Sequence, residues 1–292
     1  MVSISPSDRQ AIIELCDRHE KAHRLERDHR RCVVFGSYFV KYDAHVDLYC
    51  QYKTQEYLFN HSIGDPSAPR IPAVITYFAP EERWGYLVSE LIDPIAPADD
   101  APEAIADALR WLHRVPVPTG LIFGPLGGGL ARHRVFKNCE APLRFSSIQA
   151  LQTYMNRALD RVPRPHIPPN RPPDMDFLDD ALIFTQSDMH ISNFALDKDN
   201  KICMFDFEAI GIVPESFARF TVTSRVWSFL GRVAECMGWT PDRNRESMAR
   251  AGGVLLMVAD PTLGLDVHGN PKPKKRRSRS SEIPFTASVT EN

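Results

Sequence analysis

One stretch constrains the chain more than any other. From Gln186 to Glu208 it reads Q-S-D-M-H-I-S-N-F-A-L-D-K-D-N-K-I-C-M-F-D-F-E. Two short apolar runs, Phe194-Ala195-Leu196 and Ile202 to Phe205, flank the polar residues Asp197-Lys198-Asp199-Asn200. Asp and Asn bond to their own backbone and favour turns, so the pattern predicts a β-hairpin turning near 198–200. Such a hairpin brings Asn193 and Asp206 together at its open end, where cross-strand Cβ atoms lie roughly 4.5–5.5 Å apart. A carboxylate and an amide oxygen at that spacing suit a hard cation such as Mg²⁺, which takes oxygen ligands and keeps several waters. Asp188 reaches the same volume if the intervening loop is tight, and a carboxylate there can orient a hydroxyl and accept its proton.

The D-x-x-x-x-N spacing, followed by strand, turn, strand and Asp, is the arrangement of a kinase catalytic loop and its metal-binding Asp. Ser187-Asp188-Met189-His190-Ile191-Ser192-Asn193 resembles the H-G-D-x-H-x-x-N loop of aminoglycoside and choline-type phosphotransferases. Asp206-Phe207-Glu208 resembles that family's I-D-F/W-E element, and Gly211 to Phe217 its lead into the next helix. The likeness covers roughly residues 31 to 237. With Gly124-Pro125-Leu126-Gly127-Gly128-Gly129 upstream, it is similar to fungal members of the family. The departures are Gln186-Ser187 in place of His-Gly, Ile191-Ser192 in place of a Pro-containing pair, and a single glycine, Gly36, near the first β-turn.

The resemblance implies a protein-kinase-like α+β fold of two lobes, a small N-lobe antiparallel sheet with a helix and a larger, mainly helical C-lobe. It implies ATP and Mg²⁺ as cofactors and transfer of the γ-phosphate to a hydroxyl of a small molecule. Asp188 would be the catalytic base, Asn193 and Asp206 would hold Mg²⁺, and His190 would orient the loop. Lys41, at the end of F-V-K-Y, resembles the family's phosphate-contacting lysine, with Glu56 on the following helix as its ion-pair partner. The strand Leu87 to Ile92 resembles the hinge, whose backbone near Glu90 and Ile92 would bond adenine. The departures keep open an alternative, a catalytically silent pseudokinase acting as a binding module.

Local patterns agree with this frame. Residues 5–27 read as a helix capped by Ser5 or Ser7. Cys32–Phe35 and Tyr38–Lys41 read as a hairpin about Gly36-Ser37, Val46–Asn60 as a helix, and Ala73–Phe78 and Trp84–Leu91 as strands. Asp100 and Glu103 suggest a capping box for a helix reaching about His113. We therefore expect an N-terminal helix over 1–30, an N-lobe over 31–95, a helical C-lobe over 96–262 and a basic, disordered tail over 263–292. Residues 160–175 hold six prolines and read as a loop. Gly124–Gly129 reads as a flexible turn, and Cys203, Trp111 and Trp227 as core.

Composition sets few further limits. The 292 residues carry a net charge of −2 with 43% hydrophobic and 25% charged residues, which exerts no overall pull toward nucleic acid or membrane. No apolar run approaches the ~20 residues of a membrane span. The N-terminus has no signal-peptide pattern, and the six scattered cysteines suit a reducing compartment. A cytoplasmic location is expected. The run Lys272–Arg279 reads as a solvated tail, a nuclear signal or a weak polyanion contact. A protein kinase would need a long activation segment, for which the passage from Asp206 to Val213-Pro214-Glu215 leaves no room. His19-Glu20-Lys21-Ala22-His23 is a literal H-E-x-x-H with His29 beyond it. Only 18 residues precede it, and Glu26 stands where a glycine is needed, so zinc proteolysis is set aside.

Overall fold

The computed structural model describes residues 4–94, 96–98, 100–120, 123–162, 171–224 and 229–273. Ser5 begins α1 (Pro6–His23), its Oγ accepting from the Asp8 N–H at 3.1 Å with Pro6 in the first turn. Then come β1 (Cys32–Phe35) and β2 (Tyr38–Ala44), whose two-residue connection places Gly36 at φ +59°. Helix α2 (His45–Ser62) and strands β3 (Val74–Phe78) and β4 (Trp84–Glu90) complete an antiparallel sheet in the order β1-β2-β4-β3. Ile12 and Cys16 of α1 bury against Val40, Tyr42, Tyr86 and Val88, so one face of the sheet is covered by the N-terminal helix.

The chain then leaves the sheet through β5 (Ala96–Pro97) and enters a region dominated by helices. These are α3 (Pro102–Arg114) and α4 (Ile148–Leu159), then, after the β-rich centre, α5 (Glu215–Thr223), α6 (Phe229–Met237) and α7 (Arg245–Met257). The centre is β6 (Leu182–Gln186), β7 (Phe194–Leu196), β8 (Ile202–Met204) and β9 (Ile210–Pro214). Strands β7 and β8 form the expected hairpin, paired Phe194 to Met204 and Leu196 to Ile202, and β5 adds beside β7. Strands β6 and β9 pair antiparallel from Leu182–Pro214 to Gln186–Ile210. The architecture is thus the α+β, two-lobed one, a small antiparallel sheet with a helix joined to a larger helical part. Among the described residues no helix is long and apolar enough to cross a membrane.

Two further clusters of buried side chains complete the interior. One joins α2, α3, α6 and the central strands, and contains Trp111. The other joins α4, α5 and α7 around Phe136, Tyr154, Phe177 and Phe217. Phe217 is fully buried, with ring centroids of Phe123, Phe136, Phe177 and His133 between 5.1 and 6.0 Å away. Phe217→Ala should lower stability by about 3–5 kcal/mol, read as a fall in the urea midpoint with an unchanged denaturant slope.

Several sequence expectations are corrected. The cap of α3 is Ala101 without a side-chain bond, which leaves Asp100 one residue too early to act. Gly124–Gly129 is packed rather than loose. Gly124 pairs with Ile212, and a Cβ on Gly211 would stand 2.9 Å from the Gly124 carbonyl carbon. A Cβ on Gly129 would meet the Cys50 Sγ at 2.8 Å, and the Leu126 N–H bonds Thr54 Oγ1, so the small residues let this segment lie against α2 and β9. Residues 263–273, read as the start of a tail, fold back instead. Leu263 and Leu265 are buried in the second core, Leu265 bridges to Pro271, and Asp260 and Asp266 accept backbone N–H groups that shape the turns. The basic run beyond Lys272–Pro273, Trp227, and residues 163–170 of the proline-rich loop lie outside the described residues. The far end of that loop is anchored, since Asn156 bonds both backbone groups of Met175 and Ser247 bonds the Pro173 carbonyl.

Candidate functional site

The hairpin register decides how the polar residues meet. Phe194 opposes Met204, and the Phe205 N–H bonds the Asn193 carbonyl at 2.9 Å. Asn193 therefore faces Phe205, and Asp206 lies one step further along rather than directly across. Asp206 takes a left-handed conformation (φ +53°), which ends β8 and starts the short 3-10 turn Phe207–Ala209. Asn193 is buried, and its amide N–H donates to the Asp188 carbonyl at 2.9 Å and to its carboxylate at 3.2 Å. The loop is thus tight enough to bring Asp188 to the hairpin's open end.

Gln186 holds that loop from beneath. It is buried, its side-chain oxygen accepts from the Asp188 N–H at 3.1 Å, and its side-chain nitrogen donates to the Asp206 carbonyl at 3.1 Å. One amide has a donor and an acceptor on opposite sides, so it ties the two chain segments together. The residue at which the sequence departs from the family pattern is therefore structurally engaged. His190 shapes the same loop: it caps the turn Ile191–Asn193, with Nδ1 2.8 Å from Ser192 Oγ and accepting from the Ser192 N–H.

Lys41, on β2, reaches across to this loop. Its Nζ lies 2.9 Å from Asp206 Oδ1 and 3.2 Å from Glu208 Oε2. Burial pulls the Lys41 ammonium down, but the two carboxylates more than offset it and hold it above the ordinary lysine value. Glu56 is not the partner of Lys41. It pairs with Lys53 at 3.0 Å and accepts from the Tyr52 hydroxyl at 2.9 Å. The face of α2 turned to the interior carries Leu48, Gln51, Gln55 and Leu58, and Glu56, one residue from Gln55, is rotated about 100° away.

These groups surround a cavity of about 910 Å³ between the sheet and the hairpin. Lys41, Leu87, Ser89, Glu90, Ile92, Asp188, Asn193, Asp206 and Glu208 line it, with Gln51 and Gln55 from α2. Glu90 cannot offer its backbone N–H, which bonds the Ala73 carbonyl, and its carboxylate is held by Arg70 at 2.6 Å. Among the described residues the backbone of Leu91 and Ile92 bonds to no other residue. A second cavity of about 470 Å³ adjoins the first, and Asp188, His190, Asp206 and Glu208 line both. Its remaining wall includes Arg132, His133, Arg134, Cys139 and Thr221.

For a divalent cation, Asp206 supplies a carboxylate and Asn193 an amide oxygen whose N–H₂ is already committed to Asp188. Two hard oxygen donors fit Mg²⁺ with water and phosphate completing its shell. Among the described residues no three His, Cys, Asp or Glu side chains gather in a metal-holding group. In the H-E-x-x-H segment, Glu20 is spent on Arg31 at 3.2 Å and His29 at 2.8 Å. Its hydrogen bond from Arg31, reinforced by His29, holds the carboxyl down at about 2, too low for a general base.

His133, in the second cavity's wall, is wholly buried and satisfied as a neutral ring. Its Nε2 lies 2.9 Å from Thr221 Oγ1 and 3.2 Å from the Phe217 carbonyl, and its Nδ1 accepts from the Val135 N–H. Burial pushes its pKa down to about 3 from 6.5, against a smaller opposing pull from the Phe217 carbonyl. The unfolded chain therefore takes up the proton first, and stability is lost as pH falls below about 6.5 toward 3. On going from pH 7 to pH 5, wild type should lose about 2 kcal/mol relative to His133→Gln, measured by denaturant titration of both.

Sequence reasoning singled out Asp188, His190, Asn193, Asp206 and Lys41, and the structure brings all five to one place. It missed Gln186 as a clamp, Glu208 as a Lys41 partner, and Arg132, which pairs with the Glu208 carboxylate. The signal for Glu208 lay in the Asp206-Phe207-Glu208 run. For Arg132, 76 residues distant from Glu208 in sequence, no local signal exists.

No family model matches the chain, and no curated protein matches it. The solved structures similar to it include aminoglycoside phosphotransferase APH(4)-Ia, at 12% identity and a TM-score of 0.47, covering 82% of this chain and 89% of that one. Aminoglycoside 2'-phosphotransferase-IIIa in its GDP complex matches at 9% identity and a TM-score of 0.45, covering 84% and 87%. The streptomycin-ATP-APH(2")-IIa ternary complex matches at 12% identity and a TM-score of 0.43, covering 85% and 87%.

Proposed function

We propose that this protein is an ATP- and Mg²⁺-dependent phosphotransferase that moves the γ-phosphate to a hydroxyl of a small molecule. The observation that carries the reading is the meeting of two cavities at Asp188, His190, Asp206 and Glu208. A nucleotide in the larger cavity would present its phosphates to Lys41 and a cation held by Asp206 and Asn193. An acceptor in the smaller one would present its hydroxyl to Asp188. In phosphoryl transfer the protein contributes chiefly positioning and charge stabilisation, and these groups supply both.

Asp188 suits the acceptor's side of this chemistry. Its carboxylate is exposed in the shared wall, and the bond from Asn193 fixes its orientation. Acceptor-dependent release of ADP from Mg-ATP, screened over sugars, amino sugars, polyols and amino alcohols, tests the reading. Turnover with any of them supports it.

A second reading has its own support. Glu56 is not at Lys41, and the β1–β2 turn carries a single glycine, Gly36, where a phosphate cradle needs closely approaching backbone N–H groups. These features fit a silent pseudokinase serving as a binding module. Tight Mg-ATP binding with no ADP release across the whole acceptor panel would favour it.

A further inference from the structure

We propose that Glu208 is the positioning partner of Lys41, in the role for which α2 offers only neutral amides; this rests on the nucleotide reading above. The two α2 residues that line the cavity with Lys41 are Gln51 and Gln55. Neither can neutralise an ammonium, and the Gln55 amide is committed to the Pro72 carbonyl at 2.9 Å. Glu56 faces away and is paired with Lys53.

Lys41 has two carboxylates in reach, and they are not equivalent. Asp206 is the residue suited to a divalent cation, and the positive charge of a cation on that carboxylate would weaken its hold on the lysine ammonium, now 2.9 Å away. Glu208 is held differently. Its Oε2 contacts Lys41 at 3.2 Å, while its Oε1 pairs with the Arg132 guanidinium. Arg132 in turn stands 3.8 Å from Asp47 and 3.9 Å from Glu140. The carboxylate is thus held between two cations, one on the sheet and one in the helical part, in the short turn after Asp206. An ammonium has three donors, so Lys41 can offer the others to the phosphates while Glu208 holds one.

The test is a calorimetric measurement of Mg-ATP affinity in a double-mutant cycle. Glu208→Gln should weaken binding about tenfold, and Lys41→Met by at least as much. The double variant should be no weaker than Lys41→Met alone, because a residue that acts through Lys41 has nothing left to act on. Glu56→Gln should bind within twofold of wild type. Arg132→Gln, which keeps the Glu208 charge but removes its anchor, should fall between wild type and Glu208→Gln, and it reads the same network if Glu208→Gln does not fold. Wild-type affinity in Glu208→Gln, or losses in the double variant that simply add, would overturn the assignment while leaving the nucleotide site intact. Absence of Mg-ATP binding by wild type would instead overturn the nucleotide reading itself.

Discussion

Asp188→Ala should reduce acceptor-dependent ADP release by about 10²–10⁴-fold, the usual contribution of a positioned general base, while Mg-ATP affinity stays within a few-fold of wild type. The separation follows from the geometry. Asp188 contacts Asn193 rather than Lys41 or Asp206, and its carboxylate lies in the wall that the two cavities share. Losing it removes the group that would meet the acceptor hydroxyl and leaves the nucleotide wall of Lys41, Leu87 and Ile92 untouched. The Asn193 amide keeps its bond to the Asp188 backbone carbonyl, so the loop should hold its shape. Paired rate and binding measurements on the same preparation check this. Unchanged turnover in a clean Asp188→Ala preparation would remove Asp188 from the chemistry.

Asp206→Ala should have an effect of similar size by a different route. It removes the carboxylate that would hold the cation beside the Asn193 amide. Wild type should bind ATP at least tenfold more tightly with Mg²⁺ than with EDTA, about 1.4 kcal/mol. In Asp206→Ala that difference should vanish, and turnover should vanish with it, because a Lewis acid on the phosphates is worth several kcal/mol to the reaction. The unliganded fold should lose about 1–3 kcal/mol, from the partly exposed ion pair and from placing Ala in the left-handed conformation that Asp206 adopts. A Mg²⁺-dependent gain in affinity that survives in Asp206→Ala would place the cation elsewhere.

The parts of this site that were legible in the sequence are those encoded locally. The β7–β8 hairpin is written in four turn residues between two apolar runs, and it alone brings Asn193 and Asp206 to one end. Its register was less legible: Asn193 sits opposite Phe205, because the left-handed Asp206 falls just past the last pair. Lys41 stood out as a charge beside an apolar run, although the strand continues past it to Ala44. The error at Glu56 has a physical cause. The interior face of α2 is polar, with Gln51, Thr54 and Gln55 buried beside Leu48 and Leu58, so hydrophobic periodicity does not show which way the helix faces. The pairing of β6 with β9 and the bond between Arg132 and Glu208 depend on segments far apart in the chain. Residues 263–273 looked like tail because two leucines are a weak signal. They fold because Leu263 and Leu265 reach a core already built by α4 and α7, and because Tyr154 and Arg161 bond the Pro261 and Leu263 carbonyls.

The central claim is that the cavity between the sheet and the β7–β8 hairpin binds a magnesium-nucleotide. Thermal unfolding of the wild-type protein, with ATP and Mg²⁺ together and then with ATP and EDTA, tests it most directly. A ligand at 100 times its dissociation constant stabilises the folded state by about 2.7 kcal/mol, so the account predicts a clear rise in melting temperature that needs the metal. An unchanged melting temperature at millimolar ATP and Mg²⁺ would contradict it.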